Sequence, residues 1–258
     1  MIIYLFCFTL YAQYDEKTFF SRVNSIYHNL ESTNIENFAL AATSDFFEIS
    51  TNEFLDNDSY FPVEVIWVSP NKMYFLKKTF PADLDTSKKK IVFQLQKDMQ
   101  QGLKGILIDW QRFLGGKILD DLPENFKVTN IDDTVHVEFE AIENNIPVYM
   151  KFYFGINALC FKIETTYKNS NQKMITLPAF VLIKNKWLCT KWTVKIIKNG
   201  EIESGFIVEL KSQARGESWF PLQTLITVQT KEKLNETFRR IYKFRKLEIN
   251  KDLKYLDY

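Results

Sequence analysis

The spacing of apolar residues changes several times along this chain. In residues 15–31 the apolar side chains lie three or four positions apart, at Phe19, Val23, Ile26 or Tyr27, and Leu30, which is typical of one buried face of a helix. Three strand-like runs follow, at 38–50, 61–68 and 73–78. The first part of the chain therefore predicts one amphipathic helix followed by three strands.

A second and longer amphipathic helix is predicted over residues 90–114. Apolar residues recur there in steps of three and four, which defines one continuous face of a helix. They are Val92, Leu95, Met99, Leu103, Ile106, Trp110 and Phe113. Gly115 and Gly116 are expected to end this helix before a short turn that reaches Pro123.

After Pro123 the apolar period becomes two and stays so towards the C-terminus. Val135, Val137 and Phe139, for example, alternate with charged or polar neighbours. Polar turn residues separate successive runs, which is typical of antiparallel strands with one apolar and one polar face. Because only the two helices can cover the apolar face, the predicted fold class is α+β. We expect a single curved antiparallel sheet, a half-barrel, with amphipathic helices covering its concave face.

Composition narrows the possible functions. With 33 basic and 32 acidic residues the net charge is +1, which disfavours nucleic-acid binding because that depends on a basic surface. Aromatic residues make up 16% of the chain. They either fill a large core or line an apolar cavity, and the pattern alone leaves both interpretations open.

Sequence motifs of catalysis are missing from the chain. It contains no Gly-x-Ser-x-Gly elbow, no phosphate-binding loop and no dinucleotide fingerprint. His136, Glu138 and Glu140 alternate on one strand, but this spacing is common on exposed sheet faces and is a weak indication of zinc. We therefore expect a binding protein rather than an enzyme, with no cofactor and no metal.

The N-terminal residues 1–12 are apolar without interruption. This run is too short to cross a bilayer as a helix, and it resembles the apolar part of an export signal with cleavage after Ala12. No basic residue precedes the run, and Leu10 stands where a small residue is usual before a cleavage site. The alternative is that this run forms a buried first strand. Export predicts a mature domain spanning residues 13–258 in an oxidising compartment.

Two cysteines remain in such a mature chain, Cys160 and Cys189. Both fall in strand-like segments, and an oxidising compartment would permit a disulfide between them. Two buried free thiols are an equally good interpretation, because pairing depends on geometry that the sequence does not contain.

The order of elements resembles the periplasmic lipoprotein-carrier and outer-membrane lipoprotein-sorting family, the LolA-like proteins, with the LppX-type lipid binders as relatives. The most specific match is residues 67–75, Trp-Val-Ser-Pro-Asn-Lys-Met-Tyr-Phe, which resemble the family's strand–turn–strand segment with a proline in the turn. Weaker similarities are Trp219-Phe220-Pro221 and the segment 242–250.

The resemblance implies an apolar cavity between the sheet and a helical lid formed by residues 87–122. A carrier of this kind holds a lipid, or the acyl chains of a lipoprotein, in that cavity in the periplasm of a bacterial cell envelope. The implied lipid-binding residues are Trp67, Phe75, Leu103, Trp110, Phe113, Phe139, Phe152 and Phe161. Strand alternation assigns the sheet residues to the inner face, and a single β-bulge reverses that assignment.

One position departs from the family pattern. The well-characterised carriers have an arginine before the turn proline, which holds the lid closed, and this chain has Ser69 there. The lid-locking role therefore does not carry over. We expect a monomer that binds lipid or acyl chains and meets donor and acceptor proteins of the envelope. The alternative is a protein-interaction or sensor module on the same half-barrel, without lipid transport.

Overall fold

The computed structural model describes residues 16–70, 72–119, 122–143, 146–168, 170–230 and 238–253. The predicted export signal, residues 1–12, lies outside the described residues. The helices are α1 (Glu16–Ile26), α2 (Asp45–Thr51) and α3 (Thr86–Trp110), and a π-helical turn (Gln111–Gly115) continues α3. No helix in these ranges is long and apolar enough to cross a membrane.

All the strands belong to one antiparallel sheet that does not close. They are β1 (Asn37–Ser44), β2 (Val63–Val68), β3 (Lys72–Lys77), β4 (Lys127–Ile131), β5 (Thr134–Glu143), β6 (Ile146–Gly155), β7 (Cys160–Tyr167), β8 (Gln172–Ile183), β9 (Lys186–Lys198), β10 (Glu201–Arg215), β11 (Ser218–Thr230) and β12 (Phe238–Ile249). The order in the sheet is β3-β2-β1-β12-β11-β10-β9-β8-β7-β6-β5-β4. Strands that follow each other in sequence therefore lie side by side, except that β3 and β4 form the two edges and β1 pairs with β12. The predicted single antiparallel sheet with helices is confirmed.

One face of the sheet is covered by helices, and the core lies there. Phe19 of α1, Phe47 of α2 and Trp110 of α3 belong to the same buried cluster as the alternate residues of most strands. Phe38 of β1 shows this packing, because its ring contacts Trp67 of β2 and Trp110 of α3 at centroid distances of 5.8 and 5.6 Å. Burial of so much aromatic surface is the main stabilising contribution to this fold.

The opposite face of β5–β8 carries ion pairs. Glu138 lies 2.6 Å from Lys151, and Glu164 lies 3.0 and 2.7 Å from Lys162 and Lys173. Oppositely charged side chains on neighbouring strands stabilise a solvent-facing sheet surface modestly. This explains the polar half of the alternation.

The prediction of one strand over residues 38–50 was wrong at its C-terminal half. β1 ends at Ser44, whose hydroxyl accepts a hydrogen bond of 3.1 Å from the backbone N–H of Phe47 and so caps α2. The segment from Asp45 to Ser50 contains Phe and Ile residues with strand propensity. The capping serine and the acidic first turn (Asp45, Glu48) stabilise the helix instead.

The connection that contains α3 joins the two edge strands. β3 lies at one edge and β4 at the other, so the chain between Lys77 and Lys127 crosses the sheet. We call residues 86–115, which comprise α3 and the π-helical turn, the covering segment. Its N-terminal part packs near β2 and β3, and its C-terminal part packs against β9.

Candidate functional site

A cavity of about 310 Å³ lies between the C-terminal half of the covering segment and the sheet. Strands β5 and β6 form one wall, the end of α3 with the π-helical turn forms another, and the loop after the turn forms the third. The lining residues are Ile108, Gln111, Arg112, Lys117, Ile118, Leu119, Leu122, Phe139, Ala141, Ile142, Met150 and Phe152. Most of them are apolar, and the cations come from the covering segment and the loop that follows it.

Strand alternation positions the sheet wall. Phe139 and Met150 are directly paired across β5 and β6, and Phe152 faces the same side two residues further on. The rings of Phe139 and Phe152 are stacked, with centroids 5.7 Å apart and an interplanar angle of 15°. The sheet wall of the cavity is therefore lined by two stacked aromatic rings.

The charged groups at this cavity lie close to acidic partners. Nη1 of Arg112 is 3.1 Å from Oδ1 of Asp109, one helical turn earlier, and Asp109 is buried. Nζ of Lys117 is 3.6 Å from Oε2 of Glu31. A largely buried ion pair costs desolvation free energy that its Coulomb attraction only partly offsets. The Asp109–Arg112 pair therefore contributes little to the stability of the fold. It places a guanidinium at an otherwise apolar cavity.

The N-terminal half of the covering segment is held to the sheet by amide hydrogen bonds. Nε2 of Gln96 lies 3.0 Å from the carbonyl oxygen of Pro62, 2.9 Å from that of Lys78 and 2.9 Å from the hydroxyl of Tyr60. Nε2 of Gln100 donates to the carbonyl oxygen of Phe75 at 2.6 Å. Sequence reasoning missed these two residues. Gln96 interrupts the apolar face of α3, and a buried polar residue on such a face is the signal that could have identified it.

A glycine allows α3 to approach the sheet closely next to these glutamines. A Cβ atom at Gly102 would lie 2.1 Å from the hydroxyl oxygen of Tyr242 on β12. Because Tyr242 is buried, its ring has little room to move away. At Gly105, one turn later, a Cβ atom would meet nothing within 4 Å.

The structure distributes the eight predicted cavity residues over three environments. Phe139 and Phe152 line the cavity. Trp67, Leu103, Trp110 and Phe113 are buried in the packed core between the covering segment and the sheet, and Phe75 is partly buried against that core. Phe161 is 44% exposed and lies on the other face of the sheet from its predicted position.

The position of Phe161 has a local cause. The pairing of β6 with β7 shifts between Tyr153↔Lys162 and Phe154↔Cys160, so Phe161 is the extra residue of a β-bulge. The bulge turns its side chain outward, beside the ring of Tyr153 at 6.2 Å. The buried neighbours Cys160 and Ile163 keep the inner face.

Cys160 and Cys189, the two cysteines of the described ranges, are free and buried. Burial is the main reason that the pKa of the Cys160 thiol is raised to about 12 and that of Cys189 is raised further. Tyr27 lies beside them, because its hydroxyl accepts a hydrogen bond from the backbone N–H of Cys160 at 2.7 Å. Arg112 and Asp109 are close enough to influence the charge of Cys160 and Cys189 respectively. The thiols therefore lie under the C-terminal half of the covering segment.

Three indole N–H groups in the core have no hydrogen-bond partner among the described residues. They belong to Trp67, Trp110 and Trp192, which are all fully buried. A buried donor without an acceptor costs about 1–3 kcal/mol, so native proteins contain few of them. The interior below the covering segment is thus apolar but retains donors that an acceptor could satisfy.

The residues considered for a metal site are engaged otherwise. Nε2 of His136 lies 3.0 Å from the hydroxyl of Thr134, and Glu138 forms the ion pair with Lys151. Burial lowers the pKa of His136 below its ordinary value. Within the described ranges no group of three or more His, Cys, Asp or Glu side chains could hold a metal ion.

Comparisons with protein-family models, with curated proteins and with solved structures give no match for this chain.

Proposed function

We propose that this protein binds an amphiphile with an acyl chain, and that the chain enters between the covering segment and the sheet. The observation that supports this proposal is the apolar cavity with a cation at its wall, lined by Phe139, Phe152 and Arg112. Ligand sites are usually apolar concavities with a few polar groups that fix orientation. In this proposal the sheet is a half-barrel, and the covering segment is its lid.

The size of the cavity limits what it holds without movement. Its 310 Å³ is at the lower end of the range of about 300–1,000 Å³ for small-molecule sites. It accommodates part of one acyl chain, and a lipid with two chains requires the covering segment to move away. Each methylene transferred from water contributes about 0.8 kcal/mol to the binding free energy. A longer buried acyl chain therefore offsets more of the cost of moving the covering segment away from the sheet.

Arg112 gives this site its polar preference. An anionic head group such as a carboxylate or phosphate forms strong bidentate hydrogen bonds with a guanidinium. In the structure Arg112 pairs with Asp109, with Nη1 and Oδ1 3.1 Å apart. We propose that the ligand's head group replaces Asp109 as the partner of Arg112 while the acyl chain packs on Phe139 and Phe152.

A carrier role follows in this proposal if the chain is exported. A soluble protein that shields an acyl chain removes the main free-energy cost of moving a lipid through water. We propose the periplasm as the compartment and a lipid, or the acyl chains of a lipoprotein, as the cargo. The missing arginine at Ser69 implies a different closure from that of the well-characterised carriers, with Gln96 and Gln100 taking part.

The test is native mass spectrometry of the protein secreted to a bacterial periplasm and purified without detergent, followed by binding of a fluorescent fatty acid. We expect either a co-purified acylated species or saturable binding of the fatty acid. Met150→Trp fills the cavity and should abolish binding, whereas Phe161→Trp on the other face should leave it unchanged. A protein that stays ligand-free, or equal binding by both variants, would contradict the proposal and favour the protein-interaction alternative.

A further inference from the structure

The hairpin formed by β8 and β9 extends beyond the sheet on both of its sides. Pairing of β7 with β8 stops at Ile163↔Thr176, and pairing of β9 with β10 stops at Lys191↔Glu209. The two strands continue to pair with each other as far as Ile183↔Lys186. We call residues 177–191 the hairpin arm. Within the part of the chain that the structure describes, residues 177–183 of β8 pair with no strand other than β9, and Pro178, which has no N–H, suits such an unpaired edge.

One side of the hairpin arm closes the core. A β-bulge between Ala179 and Phe180 bends the arm, and the ring of Phe180 then packs on Tyr27 and Phe113 at centroid distances of 5.2 and 6.2 Å. The backbone N–H of His28 donates to the carbonyl oxygen of Trp187 at 2.9 Å. These contacts fix the orientation of the arm, so its tip is held in a defined position.

The tip of the arm exposes aliphatic side chains on both of its faces, because successive strand residues point to opposite sides. Val181 and Leu182 are 42% and 57% exposed, and they precede a turn at Lys184-Asn185. Trp187, which pairs with Leu182 across the hairpin, is partly buried. Exposed aliphatic residues at the tip of a protruding hairpin, close to a tryptophan, are suited to the boundary between head groups and acyl chains of a bilayer.

The charge of this region is strongly one-sided. Between Glu164 and Glu201 the chain has seven lysines and no acidic residue, whereas its overall charge is only +1. Lys173, Lys191 and Lys198 pair with glutamates of neighbouring strands. Lys184 and Lys186 at the tip form no ion pair within the described residues and are separated by one residue. The tip therefore presents two lysines beside exposed aliphatic side chains, and Glu217 of the β10–β11 turn is the acidic residue that lines the same pocket as both of them.

We propose that the hairpin arm docks this protein on the surface of an anionic lipid bilayer. Val181 and Leu182 enter the head-group region, and Lys184 and Lys186 contact lipid phosphates or carboxylates. Charge complementarity favours this occupant, since each lysine near an anionic membrane strengthens binding roughly fivefold. None of these residues lines the cavity described above, so the docking surface does not depend on the proposed lipid binding.

The experiment is co-sedimentation of the purified full chain with vesicles of phosphatidylcholine alone and of an equal mixture of phosphatidylcholine and phosphatidylglycerol. We expect binding to the mixed vesicles only, and weaker binding as the ionic strength rises. Lys184→Gln with Lys186→Gln should lower the partition coefficient roughly 30-fold, and Leu182→Ser roughly tenfold. Fatty-acid binding in the same variants should remain unchanged.

Two matched controls distinguish an effect specific to the tip from a general effect of removing positive charge or an exposed aliphatic side chain. Lys195→Gln with Lys211→Gln removes the same charge from exposed positions away from the tip, and Ile202→Ser removes an aliphatic side chain of similar exposure near the β9–β10 turn. Both should bind the mixed vesicles as the unaltered chain does. No binding by the unaltered chain, or equal loss in the controls, would overturn the proposal. Full binding by Leu182→Ser would overturn it in favour of an acidic macromolecule as the partner.

Discussion

At its N-terminal half the covering segment is joined to the ends of β2 and β3 by glutamine amides, whereas at its C-terminal half it faces β5 and β6 across a cavity. The first half has direct hydrogen bonds and a glycine that brings the helix against Tyr242. The second half has a largely buried ion pair and incomplete packing. The difference suggests that the two halves separate from the sheet at different free energies, with the N-terminal half acting as the fixed end.

The largest expected effect concerns the two thiols below the C-terminal half. Because burial raises the pKa of Cys160 from about 9 to about 12, its thiolate fraction at neutral pH is about 1,000-fold below that of an exposed cysteine. We expect alkylation of Cys160 and Cys189 to be at least that much slower in the native protein than in denaturant. If the C-terminal half opens locally, the opening free energy calculated from the alkylation rate will be well below the free energy of global unfolding.

That measurement also distinguishes the two halves directly. Hydrogen exchange at the amides of residues 96–103 should report a higher opening free energy than thiol alkylation does. Equal values for both probes would mean that the covering segment opens as a unit, contrary to the comparison. Recovery of a disulfide between the two cysteines in the native protein would contradict the free-thiol structure.

The fixed end should be weakened most by removing Gln96. Gln96→Ala leaves the carbonyl oxygens of Pro62 and Lys78 without this donor in a buried setting, so we expect a loss of about 3 kcal/mol in the free energy of unfolding. Denaturant titration measures this loss. Gln101→Ala, at an exposed position on the same helix, is the matched control and should change stability by less than about 0.5 kcal/mol.

The two glycines of α3 sharpen the comparison further. Gly102→Ala should destabilise the protein by about 2 kcal/mol, because the new Cβ clashes with the Tyr242 hydroxyl and overpacks the core. Tyr242→Phe in the same chain should recover part of this loss. Gly105→Ala, which meets open space, should stabilise the protein by about 1 kcal/mol through helix propensity. Equal effects of the two substitutions would show that α3 does not approach β12 as described.

The smallest effect is expected at the start of the covering segment. Asp85 caps α3, and its hydrogen bond from the backbone N–H of Lys88 is the main reason that its pKa is lowered to about 2. A carboxyl whose pKa is lower in the folded state stabilises that state above its unfolded pKa of about 4, and this contribution is lost as the pH falls towards 2. We expect the first turn of α3 to fray over that range, as followed by the amide resonance of Lys88. Asp85→Asn should keep the cap and remove the pH dependence.

Much of this fold could be predicted from periodicity, and the exceptions have identifiable physical causes. The period-two alternation predicted the antiparallel sheet, because burial of one face requires an apolar residue at every second position. It misplaced Phe161, since one bulged residue reverses the facing of a side chain without changing the composition around it. It also extended the first strand past Ser44, where a capping hydrogen bond decides for helix.

The candidate site was harder to predict than the sheet. Phe139 and Phe152 were found because they follow the alternation. Arg112 was missed, because its importance comes from the end of a helix lying over two strands that are distant in sequence. Gln96 was visible as a polar residue on an apolar face, but its acceptors are backbone carbonyls, which no residue type reveals. The departure of the hairpin arm from the sheet likewise depends on where neighbouring strands stop pairing.

The pairing of β1 with β12 has a consequence for how the chain acquires this structure. Phe38 lies opposite Ile249, so this contact closes a loop of almost the whole described chain. Such distant pairing slows folding, because the entropy of loop closure must be lost before the contact stabilises anything. The first three strands therefore acquire their place in the sheet only when the last strand is available. During synthesis from the N-terminus, β1 would therefore lack one of its two neighbours in the sheet until β12 had left the ribosome.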